Sequence, residues 1–164
     1  MIQPLLLTLA LAPQDAPAPW FTEIGAQAGL DFAHVTGREG EFWFPEIMGG
    51  GVALLDYDGD GLLDVYLVQS GKLPAGPDES TPEGNPGNKL FRNLGVVDGQ
   101  LRFADVTEEA GVGDTGYGMG AACGDYDRDG DVDLYVTNVG VNVLYRNVGP
   151  DANGVVRFKD VTPG

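Results

Sequence analysis

Two short acidic segments contain the strongest candidates for functional residues in this sequence. Each has aspartates at positions 1, 3, 5 and 9 of a nine-residue loop and a glycine at position 6. Carboxylates this close together repel one another unless a cation joins them. Hard oxygen ligands without a neighbouring His or Cys are typical of Ca²⁺ rather than Zn²⁺. The sequence therefore predicts two calcium loops, with the candidate ligands Asp56, Asp58, Asp60, Leu62 and Asp64 in the first and Asp125, Asp127, Asp129, Asp131 and Asp133 in the second.

The seventh position of each loop would contribute a backbone carbonyl, from Leu62 or from Asp131. The glycine at position 6 lets the chain turn sharply, so that oxygens from both sides of the loop converge. The alternative interpretation is an acidic turn that holds no cation. Tyr57 and Tyr126 occupy position 2 of the two loops. We expect them to pack across neighbouring structural units, although they could also be exposed contact residues.

The residues that flank the loops distinguish them from EF-hands. An EF-hand has Glu at position 12 and continues into a helix. Position 12 is Leu67 in the first loop and Val136 in the second, and the segments 65–68 and 134–137 favour strands. The segments before the loops are short and apolar, without a helical period. Each loop is therefore predicted to join two strands.

Few other residues suit catalysis. The chain has one His, one Cys and two serines, neither of which lies in a nucleophile-elbow sequence. His34 and Glu46 are the only pair that we consider for acid–base chemistry, but a lone His in the predicted strand 31–34 more often packs or faces solvent. Residues 116–121 superficially fit a dinucleotide fingerprint, which requires a following helix rather than a strand and an acidic loop. Cys123 is predicted to be a small buried hydrophobic residue.

The net charge of −16 argues against nucleic acid or an anionic membrane surface as a partner, since both require a basic face. The 26 glycines and 11 prolines indicate many turns, as expected of short strands. A chain with 43% hydrophobic residues is also too apolar to be read as disordered.

The first residues resemble a secretory signal peptide. Residues 1–12 include an apolar stretch that is too short to span a bilayer, and Ala10-Leu11-Ala12 offers a small-residue cleavage site. The pattern departs from a typical signal because no Lys or Arg precedes Arg38. Residues 13–19 would form a Pro/Ala-rich linker. We therefore predict a signal peptide and linker over 1–19, a secreted, periplasmic or cell-surface location, and no transmembrane segment.

The loops belong to a longer internal repeat. The second loop lies 69 positions after the first, whereas the downstream segments 88–93 and 142–147 match at an offset of 54. The difference indicates an insertion within 71–87, whose Gly, Pro and polar residues predict an exposed loop. A further element recurs at Phe21, Phe103 and Phe158.

Each repeat unit is predicted to have four strands: one before the acidic loop, one after it, one through Phe91 or Tyr145, and one through Phe103 or Phe158. Four strands in each repeat unit are typical of a β-propeller blade. We predict an all-β partial propeller over residues 20–164, with two four-stranded antiparallel blades at about 45–112 and 114–164 and an opening strand at 20–34. Since propellers have about four to eight blades, the sequence is interpreted as a fragment of a longer polypeptide.

Segments 45–61, 103–107 and 133–138 resemble the FG-GAP/VCBS repeat family, the calcium-loop blades of integrin-α-type propellers. The similarity covers residues 20–164 and is strongest to the bacterial UnbV/ASPIC and cartilage-acidic-protein-like group, although the ASPIC domain itself has no counterpart here. The resemblance implies a secreted or surface propeller with structural calcium loops and a mostly binding function.

We therefore expect a calcium-binding propeller that is not an enzyme. Its expected role is binding, adhesion or scaffolding toward a protein or glycan, with the insertion at 71–87 as a candidate contact. The alternative is part of a calcium-propeller polysaccharide lyase or hydrolase. Such an enzyme would need a basic and aromatic cluster on one face, and the nine basic residues of this chain show none.

Overall fold

The structure is a computed structural model that describes residues 19–75 and 82–163. It is mostly β, with two four-stranded antiparallel sheets that we call the first and second blades. The predicted all-β fold of partial propeller blades is confirmed. The first blade contains β1 (Val52–Leu55), β2 (Asp64–Leu67), β3 (Lys89–Val97) and β4 (Gln100–Asp105). The second blade contains β5 (Tyr117–Gly124), β6 (Asp133–Val139), β7 (Val143–Pro150) and β8 (Val156–Asp160).

The blades repeat each other in register as well as in strand order. In the first blade the pairing of β3 with β4 shifts between Asn93 and Val96, and in the second the pairing of β7 with β8 shifts between Asn147 and Pro150. A glycine with a φ of 70° lies inside both shifts, at equivalent positions. Left-handed glycines of this kind are typical of β-bulges. The β3–β4 hairpin of the first blade and the β7–β8 hairpin of the second are therefore bent at the same place.

The hydrophobic core lies between the blades. Alternation along β1 buries Ala53 and Leu55, while Val52 and Leu54 face the other side and remain exposed. Because side chains alternate across a strand, one face of the first blade can pack against the opposite face of the second. The buried core includes Ala53, Leu55, Tyr66, Val68 and Leu90 of the first blade and Leu134, Val136, Tyr145 and Phe158 of the second.

The described residues include three short helices: α1 (Gly25–Ala28) and α2 (Phe44–Met48) precede β1, and α3 (Thr107–Ala110) connects β4 to β5. Helix α1 packs on β4 and α3 packs on β8 and β3. An equivalent arginine hydrogen bond anchors each of these two helices. The Arg102 guanidinium donates a hydrogen bond to the Gln27 carbonyl, and that of Arg157 donates one to the Glu109 carbonyl.

The prediction of an opening strand at 20–34 was wrong. This segment contains α1 and otherwise irregular backbone, and the strand expected at 31–34 is likewise absent. Within the described ranges no strand pairs with it. The Ala28 amide donates to the Ile24 carbonyl, while the Gln27 and Ala33 carbonyls accept hydrogen bonds from the side chains of Arg102 and Gln69. Gly29, with a φ of 93°, then ends the helix in the left-handed conformation.

The insertion is held at its base. The Asn85 side chain is buried, accepts a hydrogen bond from the Lys72 amide at 2.8 Å and donates one to the Lys72 carbonyl at 3.0 Å. The predicted signal peptide, most of the linker and residues 76–81 of the insertion lie outside the described residues. Among the helices of the described ranges, none is long and apolar enough to cross a membrane.

Cys123 was predicted to be buried and is instead exposed. It lies on β5, which packs beside β1, and its thiol contacts the Leu54 carbonyl at 3.4 Å. The burial of β5 falls off toward its C-terminal end, where Cys123 lies. Its apolar neighbours therefore did not imply burial.

Candidate metal centres

Each acidic loop joins the first strand of its blade to the second, as predicted. The first loop lies between β1 and β2, and the second between β5 and β6. Glycines at position 6 of both loops have positive φ values, 84° for Gly61 and 99° for Gly130. This left-handed backbone is strained for residues with a Cβ atom. The glycine predicted to permit the sharp turn therefore does so in both loops.

The carboxylates of each loop converge. Asp56, Asp58 and Asp60 each offer an oxygen within 4.8 Å of the others. In the second loop the group within the same distance consists of Asp125, Asp127 and Asp133. The predicted ligands Asp64, Asp129 and Asp131 lie in the loops but outside these groups. Each loop therefore brings three of its predicted carboxylates to one point.

The aspartate at position 1 shapes its loop. Asp56 accepts hydrogen bonds from the Asp60 amide at 3.1 Å and the Gly61 amide at 3.0 Å. Asp125 accepts the equivalent bonds from Asp129 and Gly130 at 3.2 and 3.1 Å. Each carboxylate oxygen has a second lone pair, so these bonds leave acceptor capacity for a cation.

The aspartate at position 9 ties the loop to the third strand. Asp64 is fully buried and accepts from the Tyr57 amide at 3.1 Å and the Asn93 amide at 2.7 Å. Asp133 repeats this arrangement with Tyr126 and Asn147, at 3.0 and 2.8 Å. Burial is the main reason that the pKa of Asp64 rises to about 6, against the lowering effect of its two backbone donors. Both residues therefore have a structural role in addition to any role as ligands.

Each loop is contacted by one arginine that was not among the site residues predicted from the sequence. The Nε atom of Arg92, on β3, lies 2.7 Å from Asp58, and its Nη2 atom lies 3.3 Å from Asp60. Arg146, on β7, contacts Asp127 at 2.6 Å and Asp129 at 3.0 Å in the same way. The signal was present in the sequence as the Arg-Asn pair repeated at 92–93 and 146–147. The arginine holds the carboxylates of positions 3 and 5 side by side.

The donor set of both loops fits a hard divalent cation. The first loop has four aspartates and one contacting arginine, which leaves a charge of −3. The second has five aspartates, Arg128 and the contacting Arg146, which also leaves −3. Neither loop contains His or Cys, and oxygen-only donors select Ca²⁺ or Mg²⁺ over softer metals. Either loop could therefore hold a metal ion.

The remaining candidate residues differ in their surroundings. Tyr57 is buried and its ring stacks on that of Phe158 in the second blade, with the centroids 6.3 Å apart, as predicted for packing across blades. Tyr126 is exposed instead. His34 is exposed, and no hydrogen bond joins it to Glu46 among the residues that the structure describes. The structure therefore does not assemble an acid–base pair from these two residues.

Comparison with known proteins identifies part of the chain. The family model described as an FG-GAP-like repeat matches residues 56–136, a range that begins at the first aspartate of the first loop and ends within β6. No curated protein matches the chain. Both acidic loops thus belong to an FG-GAP-like repeat at residues 56–136, in a mostly β structure of two propeller-type blades.

Proposed function

We propose that the chain is a secreted, calcium-binding β-propeller repeat protein with a binding, adhesion or scaffold role. The observation that carries the proposal is the duplicated carboxylate group, formed by Asp56, Asp58 and Asp60 in one loop and by Asp125, Asp127 and Asp133 in the other. The first loop brings together the aspartates of positions 1, 3 and 5, and the second brings together those of positions 1, 3 and 9. Each loop also has a surplus of negative charge, which a bound cation would best explain.

Calcium would neutralise the repulsion between these carboxylates and fix the turn between the first two strands of each blade. The ligands would be the aspartates of positions 1, 3, 5 and 9 and the carbonyl of position 7, from Leu62 or Asp131. Extracellular calcium modules bind with dissociation constants on the order of 10⁻⁴ to 10⁻³ M. Such affinities suit calcium-rich surroundings, which supports the proposed secreted, periplasmic or cell-surface location together with the signal-like residues 1–12.

A binding role is favoured over catalysis by what the described residues bring together. No hydrogen bond joins His34 to Glu46 among the described residues, and backbone amides and arginines contact the carboxylates of the two loops. The net charge of −16 favours a basic or cation-bridged protein or glycan partner. The proposal includes similarity to the UnbV/ASPIC and cartilage-acidic-protein-like group, which rests on segments 45–61, 103–107 and 133–138.

Calorimetric titration of the purified chain tests the metal assignment. We expect two Ca²⁺ sites with dissociation constants on the order of 10⁻⁴ to 10⁻³ M. Asp58→Ala and Asp127→Ala should each abolish one site, because each removes a carboxylate from one group. Asp98→Asn is the matched control, since it removes an exposed acid in the β3–β4 turn, outside both loops. Absence of Ca²⁺ binding up to about 10 mM, well above that range, would contradict the proposal.

The polysaccharide lyase or hydrolase alternative has a separate test. The purified chain is incubated with a panel of acidic and neutral polysaccharides in calcium, and new reducing or unsaturated ends are measured. We expect no turnover. Cleavage that His34→Ala abolishes and Asp98→Asn does not would replace the binding role with an enzymatic one, while leaving the calcium assignment untouched.

A further inference from the structure

An arginine on the third strand of each blade contacts the acidic loop of that blade in the same way. The Nε atom of Arg92 lies 2.7 Å from Oδ2 of Asp58, and its Nη2 atom lies 3.3 Å from Oδ2 of Asp60. Arg146 repeats both contacts with the Oδ2 atoms at positions 3 and 5 of the second loop, at 2.6 and 3.0 Å. Each blade therefore brings one positive charge to carboxylates that are candidate metal ligands.

Backbone amides orient the same carboxylates independently of the arginine, through the opposite oxygen. Oδ1 of Asp58 accepts a hydrogen bond from the Asp60 amide at 3.3 Å, and Oδ1 of Asp60 accepts one from the Leu62 amide at 2.9 Å. The aspartates at positions 3 and 5 of the second loop accept the equivalent bonds at 3.3 and 3.0 Å. Because the loop's own backbone already directs these side chains, the arginine contributes mainly its charge.

The arginine contacts are also incomplete as hydrogen bonds. An arginine that clamps carboxylates donates from two nitrogens in parallel. Here the Nη2 atoms of Arg92 and Arg146 donate hydrogen bonds, whereas among the described residues neither Nε atom donates one, despite its short distance to a carboxylate oxygen. The side chains of the two arginines are 41% and 42% exposed, and ion pairs this exposed contribute little to stability. Each guanidinium can therefore exchange its carboxylates for water.

We propose that Arg92 and Arg146 are built-in counterions that compete with Ca²⁺, so that each lowers the calcium affinity of its own loop and stabilises that loop when calcium is absent. The proposal rests on the calcium assignment made above and names the residues that set the affinity. Without calcium, the guanidinium offsets part of the repulsion among the carboxylates. When calcium binds, the same positive charge repels the cation. Each loop thus keeps its fold where calcium is scarce and binds the ion where calcium is abundant.

Calcium titration of one loop at a time measures the effect on affinity. In an Asp127→Ala background only the first loop should bind Ca²⁺, so the dissociation constant belongs to that loop. Adding Arg92→Gln should lower this constant about tenfold, the size expected when one unit charge is removed beside a divalent ion in a water-exposed site. Arg146→Gln should do the same for the second loop in an Asp58→Ala background. Unchanged or weaker binding would overturn the proposal, and weaker binding would identify the arginine as a clamp.

Two control variants separate the charge of the arginine from its shape and from the net charge of the chain. Arg92→Lys keeps the positive charge and loses the planar fork, so it should leave the dissociation constant near that of the background protein. Arg38→Gln removes the same charge from an exposed residue outside both loops and should also leave the constant unchanged. Tightening by Arg38→Gln equal to that by Arg92→Gln would contradict a role for the contact itself.

Thermal unfolding with and without calcium gives a readout that a merely structural role would not move. In chelator, Arg92→Gln should melt below wild type because the carboxylates of the first loop lose their counterion. In saturating calcium the difference should shrink, since the ion replaces the lost charge and binds the variant more tightly. Equal losses in the two conditions would mean that Arg92 acts through packing, against the proposal. Circular dichroism of each variant in calcium verifies that it folds.

Two outcomes distinguish the counterion role from the calcium assignment. If neither wild type nor Arg92→Gln binds Ca²⁺ up to about 10 mM, well above the range of extracellular modules, the calcium assignment is wrong and the counterion role is wrong with it. If wild type binds Ca²⁺ and Arg92→Gln does not bind it more tightly, only the counterion role is overturned.

Discussion

At the scale of single residues, position 4 of the two acidic loops shows how the same backbone is built from different side chains. Gly59 in the first loop has a φ of 73°, and Arg128 in the second has a φ of 67°. Left-handed backbone costs a residue with a Cβ atom roughly 1–2 kcal/mol relative to glycine. The second loop therefore carries conformational strain that the first avoids.

Arg128→Gly should relieve this strain. We expect its free energy of unfolding to exceed that of Arg128→Ala by about 1 kcal/mol, because both substitutions remove the charge and only glycine accepts the left-handed backbone. Urea denaturation of the two variants in calcium gives the difference. Equal stabilities would show that position 128 does not hold this backbone in solution.

At the scale of secondary structure elements, an Asp-Val-Thr sequence closes each blade. Thr107 donates its hydroxyl to Asp105 at 2.6 Å and accepts the Leu90 amide at 2.9 Å, which links the end of β4 to the start of β3. Thr162 makes the same bonds to Asp160 and Leu144, at 2.5 and 3.0 Å. Burial acts to raise the pKa of Asp105, but hydrogen bonds from Lys89 and Thr107 outweigh it and leave that pKa below its usual value. The threonine thus joins the third and fourth strands where their own ladder ends.

Thr107→Val should destabilise the first blade, because it leaves the buried Leu90 amide without an acceptor. An unsatisfied buried donor costs about 1–3 kcal/mol, and chemical denaturation of the variant should show a loss of that size. Thr107→Ser keeps the hydroxyl and is the matched control, with an expected loss below about 1 kcal/mol. A loss in Thr107→Val no larger than that in Thr107→Ser would contradict the prediction, because only Thr107→Val removes the acceptor of the Leu90 amide.

At the scale of the whole molecule, the first acidic loop is part of the contact between blades. Tyr57 stacks on Phe158, and its carbonyl accepts the Asn147 side chain. A cation that orders this loop would therefore also order the packing of one blade on the other. A ligand that binds only the folded state adds about 2.7 kcal/mol at a concentration 100 times its dissociation constant.

Calcium should accordingly raise the melting temperature of the chain. Asp58→Ala should lose most of this increase while melting close to wild type in chelator, because the metal contribution is absent there for both proteins. Differential scanning calorimetry with and without calcium measures the four values. A loss of the same size in both conditions would mean that Asp58 stabilises the fold through Arg92 and the Asp60 amide rather than through a metal.

The eight strands of the two blades and the positions of the acidic loops could be predicted from the sequence alone, whereas the opening strand predicted at 20–34 was not found. These features depend on local properties: short apolar segments that favour strands, glycines at left-handed turns, and a repeat in which Asp56 and Asp125 recur in the same context. The strand pairing follows from the repeat, since each unit supplies four consecutive antiparallel neighbours.

Which of the repeat-equivalent residues are buried, and which partners they contact, depends on how the two blades pack. Tyr57 is buried and Tyr126 is exposed although both follow the first aspartate of their loop, because the second blade covers only one of them. Arg92 on β3 contacts Asp58 in the loop between β1 and β2, 34 positions away in the chain. The repeated Arg-Asn pair did not by itself indicate which carboxylate the arginine contacts. The helix at Gly25–Ala28 is the repeat equivalent of Thr107–Ala110, which is also helical and follows directly after β4, so this part of the recurring element forms a helical turn rather than a strand.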